Sequence, residues 1–228
     1  MRQQKIGILE CGLPPLPVVE ARGSYGDQFR SLLGDGFDYA GWPVHQDKFP
    51  ADVHECDGWL ISGSKHGVYE DHSWITRLED FIREAYKQSI PIYGVCFGHQ
   101  IMAQALGGKV QKFSGGWAFG CREYHTGDGE MYRLNAVHQD QVIELPPAAQ
   151  ATISNEFCRF AGLAYDGKAE SIQAHPEFDF DFVAALARAK PWAYPPDQVE
   201  IVLHDAHRSD AELDRHLIAE KIRHFFRA

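Results

Sequence analysis

Ile92-Tyr93-Gly94-Val95-Cys96-Phe97-Gly98-His99-Gln100 has the pattern of an apolar strand that passes directly into a helix. The turn between them reads Gly-x-Cys-x-Gly, the cysteine form of a nucleophile elbow. Such a turn crowds the backbone, so small residues are needed at Gly94 and Gly98. It lifts the sulfur of Cys96 above the sheet and places it at a helix N-terminus, whose partial positive charge favours a thiolate. The elbow also offers the backbone N–H of Phe97 to a developing oxyanion.

A second motif bears on the role of Cys96, because the elbow alone is equally compatible with a buried structural cysteine. The stretch Ser171-Ile172-Gln173-Ala174-His175-Pro176-Glu177 puts a histidine and a glutamate two positions apart where a strand ends. Residues i and i+2 share one side of a strand, so Glu177 can hold one imidazole nitrogen while the other faces Cys96. A thiolate nucleophile needs such a base, and the base needs an orienting partner. A surface His-Pro-Glu turn is the alternative, and the presence of the elbow disfavours it.

A third motif is the turn Ser62-Gly63-Ser64, which follows an apolar run. Because the residues of this turn are small, its backbone N–H groups would be accessible to a ligand. Ligands of parallel sheets bind beyond the C-terminal ends of the strands, so this turn can supply a second oxyanion donor. Taken alone, the motif is equally compatible with an ordinary turn that has no role in a site.

Apolar runs and helical periods alternate along the first half of the chain. Strands are predicted at residues 5–11, 37–44, 56–61 and 91–95, and helices at 25–33, 73–88 and 98–106. A loop with three prolines is predicted at residues 12–23. The alternation predicts an α/β fold with a mostly parallel sheet covered by helices on both faces.

The pattern changes after Gly108, where helical periods are absent. Strands are predicted at residues 109–113, 119–125, 131–137, 151–154, 158–165 and 169–174, so part of this stretch is expected to form a small antiparallel layer. Helices return after Asp179, and residues 209–212 have the pattern of a capping box. An apolar stripe follows, formed by Leu213, Leu217, Ile218, Ile222, Phe225 and Phe226. The stripe favours a helix packed on its own core, with a dimer contact as the alternative.

The chain is expected to form a single domain, residues 1–228, in which residues 180–228 are a C-terminal helical extension. Its 228 residues, 44% of them hydrophobic, suffice for a full core. The net charge of −10 repels phosphate backbones and anionic lipids, so neither nucleic acid nor a membrane is expected as a partner. No apolar run approaches the roughly 20 residues of a membrane span. The N-terminus lacks the apolar stretch of a signal peptide, so a cytoplasmic location is expected.

The cysteines and histidines do not indicate a structural metal. The five cysteines are odd in number and form no C-x-x-C pair, which argues against a disulfide framework or a zinc knuckle. His204 and His207 lie three apart on a predicted helix, but no partner set converges on them in sequence. Neither a metal nor a cofactor is therefore expected.

The three motifs together resemble the class I glutamine amidotransferases, whose pattern is a Ser-Gly-Gly-like turn, then Gly-x-Cys-x-Gly-x-Gln, then His-Pro-Glu. The resemblance covers about residues 5–180 and is particularly close to the glutaminase domain of GMP synthase. Free-standing γ-glutamyl peptidase-like members also carry Ser-Gly-Ser turns and additional C-terminal helices. The resemblance implies a flavodoxin-like sheet in which Cys96 attacks the amide, His175 moves protons and Glu177 orients His175.

The resemblance also implies the substrate contacts. The oxyanion hole would consist of the amides of Phe97 and of the turn at Gly63 and Ser64, and Ser64 stands where the family usually has glycine. Gln100 matches the family position that contacts glutamine. His138 matches the strand end that meets the amino-acid head of the substrate, either as a contact or as a structural histidine.

The function implied by the resemblance is a cysteine-dependent glutaminase-type enzyme that attacks the γ-amide of glutamine, or a γ-glutamyl bond, through a thioester. The chain leaves no room for an ammonia-accepting synthetase domain. Two roles therefore stay open, a stand-alone γ-glutamyl peptidase or hydrolase and a partner of a separate synthetase subunit. A homodimer is open as well. A non-catalytic partner-binding subunit is disfavoured by the intact triad. A hydrolase of the nitrilase or DJ-1-like kind lacks the Cys…His-Pro-Glu order.

Overall fold

A nine-stranded sheet forms the centre of the protein in the computed structural model, which describes residues 3–166, 168–208 and 212–228. The strands are β1 (Lys5–Leu9), β2 (Asp38–Trp42), β3 (Gly58–Ile61), β4 (Ile92–Val95), β5 (Lys109–Lys112), β6 (Ala118–Thr126), β7 (Met131–His138), β8 (Asp140–Glu144), β9 (Ala149–Ser154), β10 (Gly162–Tyr165) and β11 (Ala169–Ile172). The helices are α1 (Leu16–Arg22), α2 (Tyr25–Leu33), α3 (Ser73–Lys87), α4 (Phe97–Ala105), α5 (Phe180–Ala189), α6 (Pro196–Asp205) and α7 (Arg215–Arg227).

The main sheet has a parallel half and an antiparallel half, in the order β2-β1-β3-β4-β11-β10-β9-β6-β7. The first five strands run parallel. The next four continue the sheet with alternating direction, while β5 and β8 pair separately. The predicted α/β class is confirmed. Most of the antiparallel strands extend the main sheet, and β5 with β8 forms the small separate layer.

Helices cover both faces of the parallel half and bury separate apolar clusters. α3 and α4 pack on one face, where Trp59, Leu78 and Ile82 are fully buried. α2 and α7 pack on the other face, where Phe29 and Ile222 are fully buried. Burial of each aliphatic or phenyl side chain contributes about 1.5–3 kcal/mol of transfer free energy, so both faces stabilise the sheet substantially.

The apolar stripe near the C-terminus packs mainly into the chain's own core. Leu213, Ile218, Ile222 and Phe226 are at most 1% exposed, whereas Leu217 is 37% exposed. The core-packing interpretation accounts for the buried members. The capping box predicted just before this stripe includes residues 209–211, which lie outside the described residues.

A short helix stands where the prolines predict a loop. Residues 12–23 contain α1, which is preceded by Pro15 and has Pro17 in its first turn. Proline is tolerated there because its missing N–H would have no partner within the helix. α1 also buries Val18 in the apolar cluster that contains α5. The loop prediction is wrong because proline breaks a helix only beyond its first turn.

Two strands also differ from the predicted pattern. β8 is not predicted, because its residues are mostly polar. The strand predicted at residues 158–165 begins only at Gly162, because the side-chain oxygen of Asn155 accepts the N–H groups of Phe157 at 3.1 Å and Cys158 at 2.6 Å. An asparagine that bonds the backbone in this way forms a turn in place of a strand.

No helix in the described part of the chain is both long enough and apolar enough to cross a bilayer. The division into one domain with an extension at residues 180–228 stays a prediction.

Candidate active site

Cys96 lies at the junction of β4 and α4. Its backbone has φ 54° and ψ −104°, which L-residues rarely adopt, and its N–H donates to the carbonyl of Ile172 at 2.9 Å. A Cβ at Gly94 would lie 2.5 Å from the carbonyl oxygen of Gly98, and one at Gly98 would lie even closer to the carbonyl of Ile61. The requirement for small residues at both positions is confirmed.

His175 and Glu177 follow β11 and form a buried pair. Nδ1 of His175 lies 2.7 Å from Oε1 of Glu177. The imidazole stacks on Phe178 with ring centroids 4.1 Å apart, and the His175 backbone N–H donates to the Asn135 carbonyl at 2.8 Å. The ring is therefore held at its face and its edge. Because the carboxylate accepts from Nδ1, the Nε2 atom is the one left for another partner.

The sheet register brings Cys96 and His175 together. β4 and β11 are adjacent parallel strands with Val95 opposite Ile172, so the chain leaves both strands at the same edge. Cys96 and His175 line the same pocket, and the Cys96 sulfur lies 3.8 Å from the carbonyl oxygen of Val137. A Cβ at Gly63 would lie 3.1 Å from Cε1 of His175 and 3.9 Å from Cβ of Cys96. The turn after β3 therefore lies against both side chains.

The charges around His175 favour an imidazolium. Burial acts to lower the pKa of His175, but the neighbouring Glu177 carboxylate and Cys96 sulfur outweigh it and raise the pKa to about 10. Burial instead lowers the pKa of His99 and of His138 to about 3, so both are neutral. Of these three imidazoles, His175 is the one able to hold a proton beside the sulfur.

The turn after β3 is tied to the neighbouring loop. Ser62 Oγ accepts the N–H of Cys11 at 2.9 Å and donates to the Gly63 carbonyl at 3.0 Å. Neither Gly63 nor Ser64 is among the described residues with positive φ, and Ser64 Oγ accepts the N–H of His66 at 3.2 Å. A serine at position 64 therefore fits without the left-handed backbone that favours glycine.

A cavity of about 380 Å³ opens beside the sulfur and the imidazole. Six of the eight predicted site residues line it: Gly63, Ser64, Cys96, Gln100, His138 and His175. Glu177 lies behind His175. The Phe97 side chain packs in the core on Trp74, with ring centroids 5.5 Å apart, so only its backbone can serve the pocket. Phe97 begins α4, and its N–H therefore has no carbonyl partner within the helix.

Gln100 and His138 are oriented by the same backbone carbonyl. Gln100 Nε2 donates to the Asp140 carbonyl at 2.9 Å and to Oε1 of Gln173 at 3.0 Å. Nδ1 of His138 lies 3.1 Å from the Asp140 carbonyl. Nε2 of His138 is buried and has no hydrogen-bond partner among the described residues. His138 thus makes a structural bond and keeps one ring nitrogen available.

Much of the pocket wall consists of residues that the motifs do not mark. Lys65, Lys112 and Lys190 line it from three distant parts of the chain. Trp117 and Tyr194 line it as well, with ring centroids 5.4 Å apart. No local pattern connects these residues, so only the fold assembles them.

A larger cavity of about 590 Å³, between α7 and the sheet, contains none of the predicted site residues.

One group in the described part of the chain has ligand types and spacing suited to a metal ion. Ligand atoms of His66, Glu70 and His72 all lie within 4.8 Å of one another. His66 and Glu70 also line the pocket beside Cys96. The spacing i, i+4, i+6 across a turn matches no familiar metal motif. The prediction from the sequence that no metal is bound therefore does not take this group into account.

Comparisons with known proteins give a matching family model and similar proteins. The family model "Glutamine amidotransferase class-I" matches residues 25–181. Gamma-glutamyl peptidase 4 of Arabidopsis thaliana is 32% identical over 201 residues, covering 80% of this chain and 80% of that protein. One subunit of the glutamine-hydrolyzing GMP synthase of Methanopyrus kandleri is 29% identical over 171 residues, covering 67% of this chain and 86% of that protein.

The fold is shared with solved structures. The crystal structure of a glutamine amidotransferase from Thermotoga maritima superposes with a TM-score of 0.82 and covers 100% of both chains at 18% identity. At that identity the likeness concerns the fold alone. The family model, in contrast, matches well over half of the sequence. The chain therefore belongs to the class I glutamine amidotransferase family.

Proposed function

We propose that this chain is a cysteine hydrolase that cleaves the γ-amide bond of glutamine or of a γ-glutamyl compound through a thioester on Cys96. One observation carries the proposal: Cys96 stands on a strained elbow beside His175, whose Nδ1 is 2.7 Å from Glu177. A nucleophile, a base and an orienting carboxylate in this order are the parts that thiol-dependent acyl transfer needs.

The first half of the reaction forms the thioester. The Cys96 thiolate attacks the γ-carbonyl carbon, and the carbonyl electron pair moves to the oxygen. The backbone N–H groups of Phe97 and Ser64 donate to this oxyanion. The His175 imidazolium gives its proton to the amide nitrogen, the C–N bond breaks, and ammonia or an amine leaves.

The second half releases glutamate. Neutral His175 takes a proton from water, whose oxygen attacks the thioester carbon. The C–S bond then breaks, which restores the Cys96 thiolate beside the His175 imidazolium. The Glu177 side chain keeps its contact with Nδ1 and stabilises the imidazolium that both halves require.

Polar groups in the pocket suit the amino-acid head of the donor. Both side-chain amide hydrogens of Gln100 are used by protein acceptors, so its oxygen remains to accept from an α-amino group. Lys65 and Lys112 line the same pocket and provide positive charge for an α-carboxylate. Nε2 of His138 is a further acceptor.

The size and lining of the pocket favour a γ-glutamyl peptide or metabolite over glutamine. Ammonia, the leaving group from glutamine, needs almost no space. The cavity nevertheless extends to Lys190, Trp117 and Tyr194. A lysine and two aromatic rings in one pocket suit a carboxylate-bearing amino-acid residue after the scissile bond. The similarity to gamma-glutamyl peptidase 4 supports this preference.

A glutaminase that serves a separate synthetase subunit is the second candidate function. The similarity to one subunit of a GMP synthase favours it. The two candidates differ in the product that accompanies glutamate, which is ammonia in one case and an amino acid or amine in the other.

All five cysteines are free, which supports a reducing compartment such as the cytoplasm.

The first prediction concerns Cys96→Ala. The purified protein would be incubated with glutamine, glutathione and γ-glutamyl dipeptides, and ammonia and free amino acids would be measured separately. We expect amino acids to be released from the peptides more efficiently than ammonia from glutamine. Cys96→Ala should lose turnover by a factor on the order of 10⁴ or more while its melting temperature is retained, since a smaller side chain fits the same space.

Cys121→Ala is the matched control, because Cys121 is half-buried and lies outside the pocket. It should keep full turnover. Residual activity of Cys96→Ala near that of the unaltered protein would refute the nucleophile assignment. Glutamine as the preferred substrate would favour the glutaminase role, and absence of both turnover and labelling of Cys96 by a diazo-ketone glutamine analogue would favour a non-catalytic subunit.

A further inference from the structure

A turn just beyond Ser64 brings two imidazoles onto one carboxylate oxygen. Nδ1 of His66 lies 2.7 Å from Oε2 of Glu70, and Nε2 of His72 lies 3.1 Å from the same oxygen. The two imidazole ring centroids are 4.5 Å apart. Three good metal-ligand atoms therefore converge on one point.

Two of the three side chains are held in place by contacts outside the cluster. The other carboxylate oxygen of Glu70, Oε1, accepts the backbone N–H of Gly67 at 2.7 Å, which fixes the carboxylate. The ring of His72 lies almost parallel to that of Trp74, with ring centroids 6.2 Å apart and an interplanar angle of 19°. Such outside support is what orients ligands before a metal arrives.

The cluster is accessible from solvent. The side chains of His66, Glu70 and His72 are 26%, 39% and 39% exposed. An ion can therefore enter without opening the fold. His66 and Glu70 also line the cavity beside Cys96, so an ion held here would lie at the edge of that cavity.

We propose that His66, Glu70 and His72 form a binding site for a divalent transition-metal ion of the zinc class. Two imidazoles and one carboxylate are ligands that Zn²⁺ accepts readily, whereas Mg²⁺ and Ca²⁺ prefer sets made of oxygen alone. Three protein ligands leave at least one coordination position for water or for a donor atom of a bound molecule. The site is independent of the reaction proposed for Cys96.

The geometry requires only small adjustments. Ligand atoms about 2.1 Å from a tetrahedral ion lie roughly 3.4 Å from one another. To reach this value, the two nitrogen–oxygen separations of 2.7 Å and 3.1 Å need to widen by about 0.7 Å and about 0.3 Å. The third separation is at most 4.8 Å. Rotation of exposed side chains supplies movements of this size.

A plain hydrogen-bonded cluster is the competing explanation. In that case each imidazole donates one N–H to Glu70 and no ion is needed. The two explanations differ in one measurable respect, because only the metal site binds Zn²⁺ more strongly than a surface histidine does.

The test measures Zn²⁺ binding to the full chain in the Cys96→Ala background, which removes the thiol that would compete for zinc beside His175. Titration calorimetry with ZnCl₂ should give one ion per chain, and Mg²⁺ should give no signal. His72→Phe retains an aromatic ring over Trp74 but removes the ligand nitrogen. We expect it to weaken Zn²⁺ binding at least about tenfold. His204→Ala, which removes an exposed histidine outside the cluster, should leave the affinity unchanged.

Cobalt gives an independent readout. Co²⁺ bound by this set should show the intense visible absorption of a tetrahedral or five-coordinate ion, and the bands should disappear in Glu70→Gln as well as in His72→Phe. Glu70→Gln keeps the shape of the side chain, so it remains informative if His72→Phe does not fold. Equal Zn²⁺ affinity in all variants, or no saturable binding in the Cys96→Ala protein, would overturn the proposal.

Discussion

Cys96 combines a strained backbone with a crowded side-chain environment. Its φ of 54° is unfavourable for a residue with a Cβ, by about 1–3 kcal/mol for such conformations. The surrounding structure holds it there, through the hydrogen bond from its N–H to Ile172 and the close approach of Gly94 and Gly98. In this conformation Cys96 lines the same pocket as His175.

The second prediction concerns Glu177→Gln and the pKa of His175. The pKa rises from 6.5 to about 10 on folding, so protonated His175 stabilises the folded state. This contribution is complete below about pH 6.5 and is lost as the pH rises through about 10. Urea denaturation of the unaltered protein should therefore give a falling free energy of unfolding from pH 7 to 10. Glu177→Gln should flatten that fall.

Activity of the same variant separates orientation from bond making. The glutamine side chain keeps the shape of the carboxylate but cannot stabilise the imidazolium. We expect turnover to fall by roughly 10³-fold, which is less than the loss in Cys96→Ala. Equal losses in the two variants, or parallel pH curves for Glu177→Gln and the unaltered protein, would contradict the orienting role.

At the scale of elements, the junction of β4 and α4 depends on the close packing of α4 against β3. The backbone of Gly98, in the first turn of α4, approaches the carbonyl of Ile61 at the end of β3. The same approach brings the turn at Gly63 against His175 and Cys96. The separation of strand and helix therefore sets the distance between the nucleophile and the second oxyanion donor.

The third prediction follows from this packing. Gly98→Ala would place a methyl group against the Ile61 carbonyl, where backbone has to move. We expect a loss of about 2–3 kcal/mol in the free energy of unfolding, with a larger loss in kcat than in substrate affinity. Gly127→Ala is the control, because nothing lies within 4 Å of a Cβ there, and it should change stability by less than about 0.5 kcal/mol. Similar effects of the two substitutions would show that the packing is unimportant.

At the scale of the whole molecule, the last helix supports the segment that carries the imidazole. Arg215 at the start of α7 donates from Nε to the Pro176 carbonyl at 2.9 Å and from Nη2 to the Glu177 carbonyl at 3.1 Å. Asn135 on β7 donates to the Phe178 carbonyl at 3.1 Å. Segments from the antiparallel half and from the C-terminus thus converge behind the site.

The fourth prediction is that Arg215→Met lowers activity from a distance. Loss of two charged hydrogen bonds to backbone carbonyls should lower the free energy of unfolding by about 2 kcal/mol. Because the loosened segment carries His175 and Glu177, kcat should fall several-fold while KM changes little. Lys221→Met on the same helix removes an exposed pair with Glu130 and a cation–π contact with Tyr132. Lys221 does not line the pocket beside Cys96, so this substitution should leave kcat unaltered. A change confined to KM in Arg215→Met would contradict this account.

The local sequence determined those features of the protein that depend on residues close together along the chain. The glycines at 94 and 98 around Cys96 predicted the elbow, because only small residues permit that turn. The two-residue spacing of His175 and Glu177 predicted their pairing, although β11 ends at Ile172 and residues 176 and 177 lie in a turn, so strand alternation is not what brings the two side chains together. The alternation of apolar runs and helical periods predicted the α/β class, because each element needs one apolar face.

Tertiary structure decided everything that depends on residues far apart along the chain. Strand register put Val95 opposite Ile172 and so brought the sulfur to the imidazole. The pocket wall gathers Lys112 and Lys190 from distant parts of the chain, and no local pattern marks such residues. The convergence of His66 and His72 on Glu70 depends on the path of a turn. These contacts form because burial of apolar faces fixes the elements relative to one another, and that free energy belongs to the whole fold.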